Sequence, residues 1–149
     1  MKIYIGADHN GFEFKKQLTD FLKRSGYETV DVGSEALDSG DDFPQFAGKA
    51  VTSLLADHDP DSRAMLICGS GQGMCIAANR FKGIRAAICW NVAEARASRN
   101  DDDSNVLCLS SRYLSLDETT PIVTTWLHTP FAGAARFKRR IRQLDELGM

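Results

Sequence analysis

The chain has 149 residues and a formal net charge of −2 at pH 7. This length predicts one domain spanning 1–149, large enough to bury most of a core without disulfides or a structural metal. The slightly acidic charge balance argues against nucleic acid and an anionic membrane as partners, so any site for an anion must be local.

The N-terminal residues and the cysteines indicate a reducing compartment. The stretch MKIYIGADHNG has no long apolar run, so we expect neither a signal peptide nor a membrane span, and a cytoplasmic location. The cysteines at 68, 75, 89 and 108 form no CxxC pair and lack histidines at zinc spacing, which argues against disulfides and a metal site. Cys89 and Cys108 lie in apolar runs, and we expect them to be buried.

Five apolar runs of strand length alternate with amphipathic stretches of helix length. The strand candidates are KIYIGA (2–7), ETVDVG (28–33), AMLICG (64–69), IRAAIC (84–89) and NVLCLS (105–110). A first helix follows the first strand and stops at Gly26, and a second follows the next strand with Asp42 and Pro44 as start signals. The alternation predicts an α/β fold, a Rossmann-like three-layer αβα sandwich around an open five-stranded parallel sheet.

Two more helices are predicted after the fifth strand. Ser115 and Glu118 have the spacing of a capping box, but Pro121 would then fall inside the helix, which either kinks there or begins at the proline. A basic C-terminal helix covers about 133–147. Its Arg136 and Arg140 stand four residues apart on one face and could together grip a phosphate, whereas its other basic side chains are expected to be solvated.

Ligands of such sheets bind beyond the carboxyl ends of the strands. There the stretch MLICGSGQGMCIAAN, residues 65–79, carries three alternating glycines but matches neither a dinucleotide fingerprint nor a P-loop. Its glycines expose amides at the start of a helix beginning near Gly73, where an oxyanion is favoured, and Cys68 and Ser70 border that space. A base, a proton shuttle and an oxyanion hole suit enediolate chemistry. The alternative is that Cys68 merely fills the strand end.

Five segments carry a family resemblance: GADHNGFEFK, DDFPQFA, ICGSGQGMCIAANRFKGIRAAICWN, ARASRNDDDSNVLCLSSR and ARFKRRI. In order and across nearly the whole chain they resemble the type B ribose-5-phosphate isomerases and the related galactose-6-phosphate isomerase subunits. The resemblance implies an aldose–ketose isomerase without metal or cofactor that acts on an open-chain sugar phosphate through a cis-enediolate.

The resemblance also implies roles for individual residues. Cys68 is the base that moves a proton between C2 and C1, because this chain lacks the glutamate that other members carry at the position of Met74. Ser70 assists proton exchange between O1 and O2. The remaining implied contacts are amides of Gly69, Gly71 and Gly73 for the enediolate, Asp8 for sugar hydroxyls, His9, Arg112, Arg136 and Arg140 for phosphate, and Asn79 for substrate or for structure.

Members of the family form homodimers, sometimes paired into tetramers, whose sites combine residues of both subunits, so we expect a homodimer or tetramer here. One departure concerns the substrate. Asp101 and Asp102 stand where members acting on ribose 5-phosphate usually have the ring-opening histidine and an asparagine. Either Asp101 takes over ring opening, or the substrate needs none, as for a tetrose 4-phosphate, or Asp101 caps a helix and the ring opens spontaneously. A hexose 6-phosphate substrate and a non-catalytic phosphosugar-binding subunit also stay open.

Overall fold

The computed structural model describes residues 1–148. Its strands are β1 Lys2–Ala7, β2 Glu28–Asp31, β3 Arg63–Cys68, β4 Ala86–Ile88 and β5 Val106–Ser110. Its helices are α1 Phe12–Arg24, α2 Phe43–Ala56, α3 Gln72–Ala78, α4 Val92–Asp102, α5 Leu116–His128 and α6 Ala135–Asp145, and a 3-10 turn, His9–Gly11, precedes α1. All strands are parallel, in the order β2-β1-β3-β5-β4. The predicted α/β architecture is confirmed.

Both faces of the sheet are buried, which explains why the central strands read as continuously apolar. Successive side chains of a strand point to opposite faces, so Ile3, Ile5 and Ile67 pack under α1, α4 and α5, around the fully buried Trp126. Leu66 and Cys108 point to the other face and pack against α2 and α3. The result is the three-layer arrangement that the sequence predicts.

The two edge strands are shorter than predicted. β2 ends at Asp31 instead of residue 33, and the carboxylate of Asp31 accepts the N–H of Gly33. β4 begins at Ala86 instead of residue 84, because the side chain of Asn105 accepts the N–H of Arg85 at 2.8 Å. In both strands a side-chain oxygen accepts a backbone N–H that could otherwise bond to a neighbouring strand. Each edge strand therefore has fewer paired residues than predicted.

The helix ends follow most of the local signals. Gly26 has a φ of 90° just after α1, and Ser115 and Glu118 form both bonds of the capping box of α5, which continues through Pro121. Asp42 precedes α2 without a side-chain capping bond, so Pro44 in the first turn is its start signal. α3 begins at Gln72, one residue before the predicted start.

The direction of the helices decides which residues can share a site. α3 and α4 start at the carboxyl ends of the strands, here called the carboxyl edge, and run back to the opposite amino edge. Their first residues therefore lie at one edge and their last residues at the other. None of the helices within residues 1–148 is long and apolar enough to cross a membrane.

Candidate active site

Strand register brings Asp8 next to Cys68. Ala7 pairs with Ile67, so the residues that follow leave the sheet side by side on neighbouring strands, which lie about 4.8 Å apart. The N–H of Asp8 donates to the carbonyl of Ile67 at 3.4 Å. Cys68 pairs in turn with Ser110 of β5. The carboxyl ends of the three central strands thus form the floor of the candidate site.

The turn after β1 is held by the buried carboxylate of Asp8. Its Oδ1 accepts the N–H groups of Asn10, at 3.0 Å, and Gly11, at 3.3 Å. Gly11 is required there, because a Cβ at this position would lie 2.7 Å from Cγ2 of Ile67. The turn therefore lies directly against the end of β3. Asp8 Oδ2 has no hydrogen-bond partner among residues 1–148.

The glycine loop after β3 wraps the Cys68 thiol. Gly71 adopts a φ of 78°, a left-handed conformation that favours glycine, and its N–H donates to Cys68 Sγ at 3.2 Å. The next amide, of Gln72, donates to Ser70 Oγ at 3.2 Å. Gly73 faces the ring of Phe43, which a Cβ would approach to 2.7 Å. The N–H of Gly71 is therefore bonded to the Cys68 sulfur in this structure. Gly73 lies in the first turn of α3, where the backbone N–H groups have no partners within the helix and can bind an anion.

Arg112 covers the glycine loop from the β5 side. The backbone N–H of Arg112 donates to the carbonyl of Gly69 at 3.0 Å. The side chain lies as close, since a Cβ on Gly69 would lie 2.9 Å from Arg112 Nη2. Ser110 Oγ donates to the same carbonyl at 2.7 Å, which fixes the loop to β5. The exposed guanidinium thus lies over the loop that carries Ser70, where a bound anion would meet it.

The thiols of the other three cysteines differ in the direction and cause of their pKa shifts. The neighbouring Cys108 thiol lowers the pKa of Cys75 to about 7, while burial works against that shift. The pKa of Cys108 is raised well above its ordinary value by its contact with Cys75 and then by burial. Burial raises the pKa of Cys89 to about 11. Cys75 is half-buried in α3 with its Sγ against the carbonyl of Ala86, so it faces β4 and not the glycine loop.

Asp101 and Asp102 lie at the amino edge, away from Cys68 of the same chain. They end α4, and the Nε of Arg85, just before β4, donates to the carbonyl of Asp102 at 2.9 Å. Asp101 Oδ1 accepts a bond from Asn100 Nδ2 at 2.8 Å. Burial and then the neighbouring Asp101 raise the pKa of Asp102, while Arg140 opposes the shift. The length of β3, about 20 Å, separates this pair from the thiol.

Arg136 and Arg140 lie on the exposed face of α6, which packs beside the end of α4. Neither forms an ion pair within residues 1–148, and the guanidinium of Arg136 lies 4.3 Å from the ring centroid of Phe137. Both charges are thus open to an anion, on the same side of the molecule as Asp102. Within one chain, the predicted site is divided into a carboxyl-edge half and an amino-edge half.

Asn79 lies in the amino-edge half, where it lines one cavity together with Asp102. It follows α3 at the amino edge, where its Oδ1 accepts the N–H of Ala86 at 2.8 Å and its Nδ2 donates to the carbonyl of Ala86 at 3.0 Å. The side-chain oxygen and nitrogen of Asn79 are thus both bonded to the backbone of Ala86 in β4. These bonds favour the structural alternative for Asn79, and its contact with substrate stays a prediction.

Some features of the site escaped the sequence reasoning. Asp41, which belongs to the loop before α2, accepts a bond from the His9 ring at 2.8 Å, and Ser111 Oγ donates to the carbonyl of Asn10 at 2.8 Å. Neither residue has a local sequence signal, because both contacts join segments far apart in the chain. The side chains of His58 and His128 are exposed and lie outside both halves of the predicted site. Residues 1–148 hold no cluster of three or more His, Cys, Asp or Glu side chains suited to a metal ion.

A cavity of about 760 Å³ lies at the amino edge, between the end of α3, β4 and α6. Asp102 and Arg85 line it together with Leu144 and Leu147. It contains none of the carboxyl-edge residues. Chemistry favours the carboxyl edge over this cavity as the reacting centre, because that edge brings together the Cys68 thiol, the Ser70 hydroxyl, the Asp8 carboxylate and the Arg112 guanidinium.

Known proteins resemble this chain over nearly its full length. Residues 3–144 match the family model described as Ribose/Galactose Isomerase. A ribose-5-phosphate isomerase B of Mycolicibacterium paratuberculosis is 38% identical over 146 residues, which cover 98% of this chain and 91% of that protein. The structure of a ribose 5-phosphate isomerase from Thermotoga maritima has a TM-score of 0.92 at 42% identity, covering 98% of both chains. Ribose-5-phosphate isomerase B from Mycoplasma genitalium, solved with bound ribulose-5-phosphate, has a TM-score of 0.91 at 38% identity, covering 97% of this chain and 93% of that chain.

Proposed function

Because the chain belongs to the ribose/galactose isomerase family, we propose that it interconverts ribose 5-phosphate and ribulose 5-phosphate with Cys68 as the base. The observation that carries the proposal is the placement of the Cys68 thiol. Register sets it beside Asp8, and the Gly71 N–H donates to its sulfur at 3.2 Å. The strand register and the Gly71 N–H hold the sulfur at the carboxyl edge, and a thiolate at that position is the form that can accept a proton from a substrate.

In the proposed reaction the Cys68 thiolate removes the proton from C2 of the open-chain aldose. The electron pair of that C–H bond forms the C1–C2 double bond of a cis-enediolate, and the carbonyl π electrons move to O1. Ser70, which can donate and accept, transfers a proton between O2 and O1. The Cys68 thiol then returns its proton to C1 and gives the ketose. Amides of the glycine loop and Arg112 stabilise the negative charge on oxygen.

The carboxyl-edge half supplies two of the proposed phosphate contacts, His9 and Arg112. The other two, Arg136 and Arg140, lie in the amino-edge half, which is too far from Cys68 to serve it within one chain. We therefore place one complete site between two copies of the chain, where α6 and the end of α4 of the partner face the glycine loop. A symmetric dimer forms two such sites.

Mixing two inactive variants tests this arrangement. Cys68→Ser removes the base, and Arg136→Ala/Arg140→Ala removes two phosphate contacts. Because each site takes its base from one copy and these arginines from the other, a mixed dimer holds one site with both defects and one site with neither. Random exchange makes half of the dimers mixed, and activity should return to about a quarter of the wild-type value. Mixing Cys68→Ser with Cys68→Ala is the matched control and should restore nothing. Absence of recovery in dimers that have demonstrably exchanged would contradict the shared site.

The residue at 101 bears on the choice of sugar. Ribose 5-phosphate is cyclic in water, so an isomerase needs ring opening, and a carboxyl group can supply the proton transfers only if it changes protonation. Asp101 stands where related isomerases acting on ribose 5-phosphate usually have the ring-opening histidine, and its Oδ1 accepts a bond from Asn100 Nδ2 at 2.8 Å. Asp101 is therefore the proposed ring-opening group.

A tetrose 4-phosphate is the second candidate substrate, because it cannot close a furanose ring through its phosphorylated oxygen and so needs no such group. Wild type and Asp101→Asn should be compared on ribose 5-phosphate, erythrose 4-phosphate and allose 6-phosphate, the last as a hexose. Loss of turnover of the cyclic sugars ribose 5-phosphate and allose 6-phosphate in the variant, with erythrose 4-phosphate turnover retained, supports the ring-opening role. Unchanged turnover of ribose 5-phosphate would eliminate it. Phosphosugar binding without turnover of any of the three would favour a binding subunit.

A further inference from the structure

The contact between Asp41 and His9 joins the loop before α2 to the turn after β1. Asp41 Oδ1 accepts the backbone N–H of His9 at 2.9 Å and also contacts the ring Nδ1 of the same residue at 2.8 Å. The Asp41 side chain is only 8% exposed, whereas the His9 side chain is 31% exposed. One carboxylate oxygen of the more buried Asp41 therefore holds both the backbone and the ring of His9.

The geometry determines which ring nitrogen carries hydrogen in the neutral imidazole. An ionised carboxylate can only accept hydrogen bonds, so Nδ1 must be the donor to Asp41. Nε2 is left without a partner among residues 1–148, and it becomes a second donor when the ring is protonated. A backbone bond alone would suffice to tie the loop to the turn, but the additional ring bond orients the imidazole.

Three carboxylates act on the charge of His9. The ionisable groups that face it are Asp41, Asp8 and Asp38, from the loop before α2 and the turn after β1. The hydrogen bond to Asp41 is the largest cause that raises the pKa of His9, and the fields of Asp8, Asp41 and Asp38 add to it, while desolvation acts the other way. His9 thus holds its proton to higher pH than an isolated histidine does, and stays a cation over more of the neutral range.

We propose that Asp41 is a positioning residue, which holds the His9 ring so that Nε2–H donates to the phosphate of the bound sugar. This inference rests on the proposed function, in which His9 contacts phosphate. Asp41 does not touch substrate in this account. It acts through His9, by fixing the tautomer, the ring orientation and the charge of that residue.

The first test follows the His9 ring by ¹⁵N NMR as a function of pH, in wild type and in Asp41→Asn. The asparagine oxygen can still accept both hydrogen bonds, so the variant removes charge with little change of shape. Asp38→Asn is the matched control, since it removes the same charge from the same loop, where Asp38 accepts the N–H of Gly40 at 2.9 Å but does not touch His9. The chain has three histidines, so the His9 signals can be assigned by substitution.

We expect the neutral His9 ring to carry its hydrogen on Nδ1, and its titration midpoint to fall toward the ordinary value of about 6.5 in Asp41→Asn. Asp38→Asn should shift the midpoint less. Adding inorganic phosphate to the wild type should shift the Nε2 resonance. A hydrogen on Nε2 in the neutral ring, an unchanged midpoint in Asp41→Asn, or no response of Nε2 to phosphate would each overturn the proposal. None of these readouts requires turnover, so they remain decisive if the protein proves not to be an isomerase.

Kinetics supply the second test. A positioning role in phosphate binding predicts that Asp41→Asn raises KM for ribose 5-phosphate about three- to tenfold near pH 7, with kcat within about twofold of wild type. The rise should vanish at pH values low enough to protonate His9 in both proteins. A loss confined to kcat, or a rise in KM that is the same at every pH, would contradict the role of the His9 charge.

Discussion

Replacement of Gly11 by alanine tests whether the turn after β1 must lie against β3. The added Cβ would lie 2.7 Å from Cγ2 of Ile67 and 2.8 Å from its carbonyl oxygen, where ordinary contacts are at least about 3.4 Å. The backbone oxygen cannot rotate away, so the turn must move by about 0.6 Å or more. Overpacking of this kind costs about 1–3 kcal/mol of unfolding free energy.

The same movement should reach the reacting centre, because the N–H of Gly11 is bonded to the carboxylate of Asp8. A displacement approaching 1 Å lowers kcat/KM by up to about 100-fold. Urea unfolding and steady-state kinetics measure the two effects. Gly48→Ala is the matched control, since its Cβ would meet nothing closer than 4.0 Å within a helix, and it should be neutral or stabilising by up to about 1 kcal/mol. Wild-type stability and kinetics in Gly11→Ala would refute the reasoning.

Three further substitutions have distinct expected results. Gly69→Ala should displace only the flexible end of Arg112, so we expect KM to rise while the urea midpoint stays within error of wild type. Asn79→Ala should lower the unfolding free energy by about 1 kcal/mol through the lost bonds to β4, with kcat and KM unchanged if its role is structural; a raised KM would support the substrate-contact prediction instead. Asp57→Asn concerns acid stability, because hydrogen bonds, first from the backbone N–H two residues on, lower the pKa of Asp57 from 3.8 to about 2. The wild type should be more stable than this variant above about pH 4, and the difference should shrink as pH falls toward 2; a difference independent of pH would contradict this.

The architecture could be predicted because its signals are local. Apolar runs marked the strands, and Gly26 and the Ser115 capping box marked helix ends, since these depend on residues adjacent in sequence. The edge strands were predicted too long. The start of β4 depends on Asn105, whose side chain accepts the N–H of Arg85 from 20 residues away. The end of β2 depends on Asp31, whose carboxylate accepts the N–H of Gly33.

The site was predictable in content but not in arrangement. The glycine loop and Cys68 follow from strand position, and register alone places Asp8 beside them. The sequence could not reveal that Asn79 is committed to β4, or that Asp41 holds His9, since both are contacts made by the fold. The separation of Asp101 from Cys68 follows from the direction of α4, which becomes evident only when the helix is placed on the sheet.

The most direct test of the account compares isomerase activity of wild type, Cys68→Ser and Cys75→Ser on ribose 5-phosphate. Both variants replace one thiol by a hydroxyl, but only Cys68 lies at the glycine loop, while the pKa of the Cys75 thiol is lowered to about 7, mainly by the neighbouring Cys108 thiol. The account predicts a loss of about 10²- to 10⁴-fold in kcat for Cys68→Ser and near-wild-type kcat for Cys75→Ser. Retained activity in a folded Cys68→Ser protein, or the larger loss in Cys75→Ser, would contradict the assignment of Cys68 as the base.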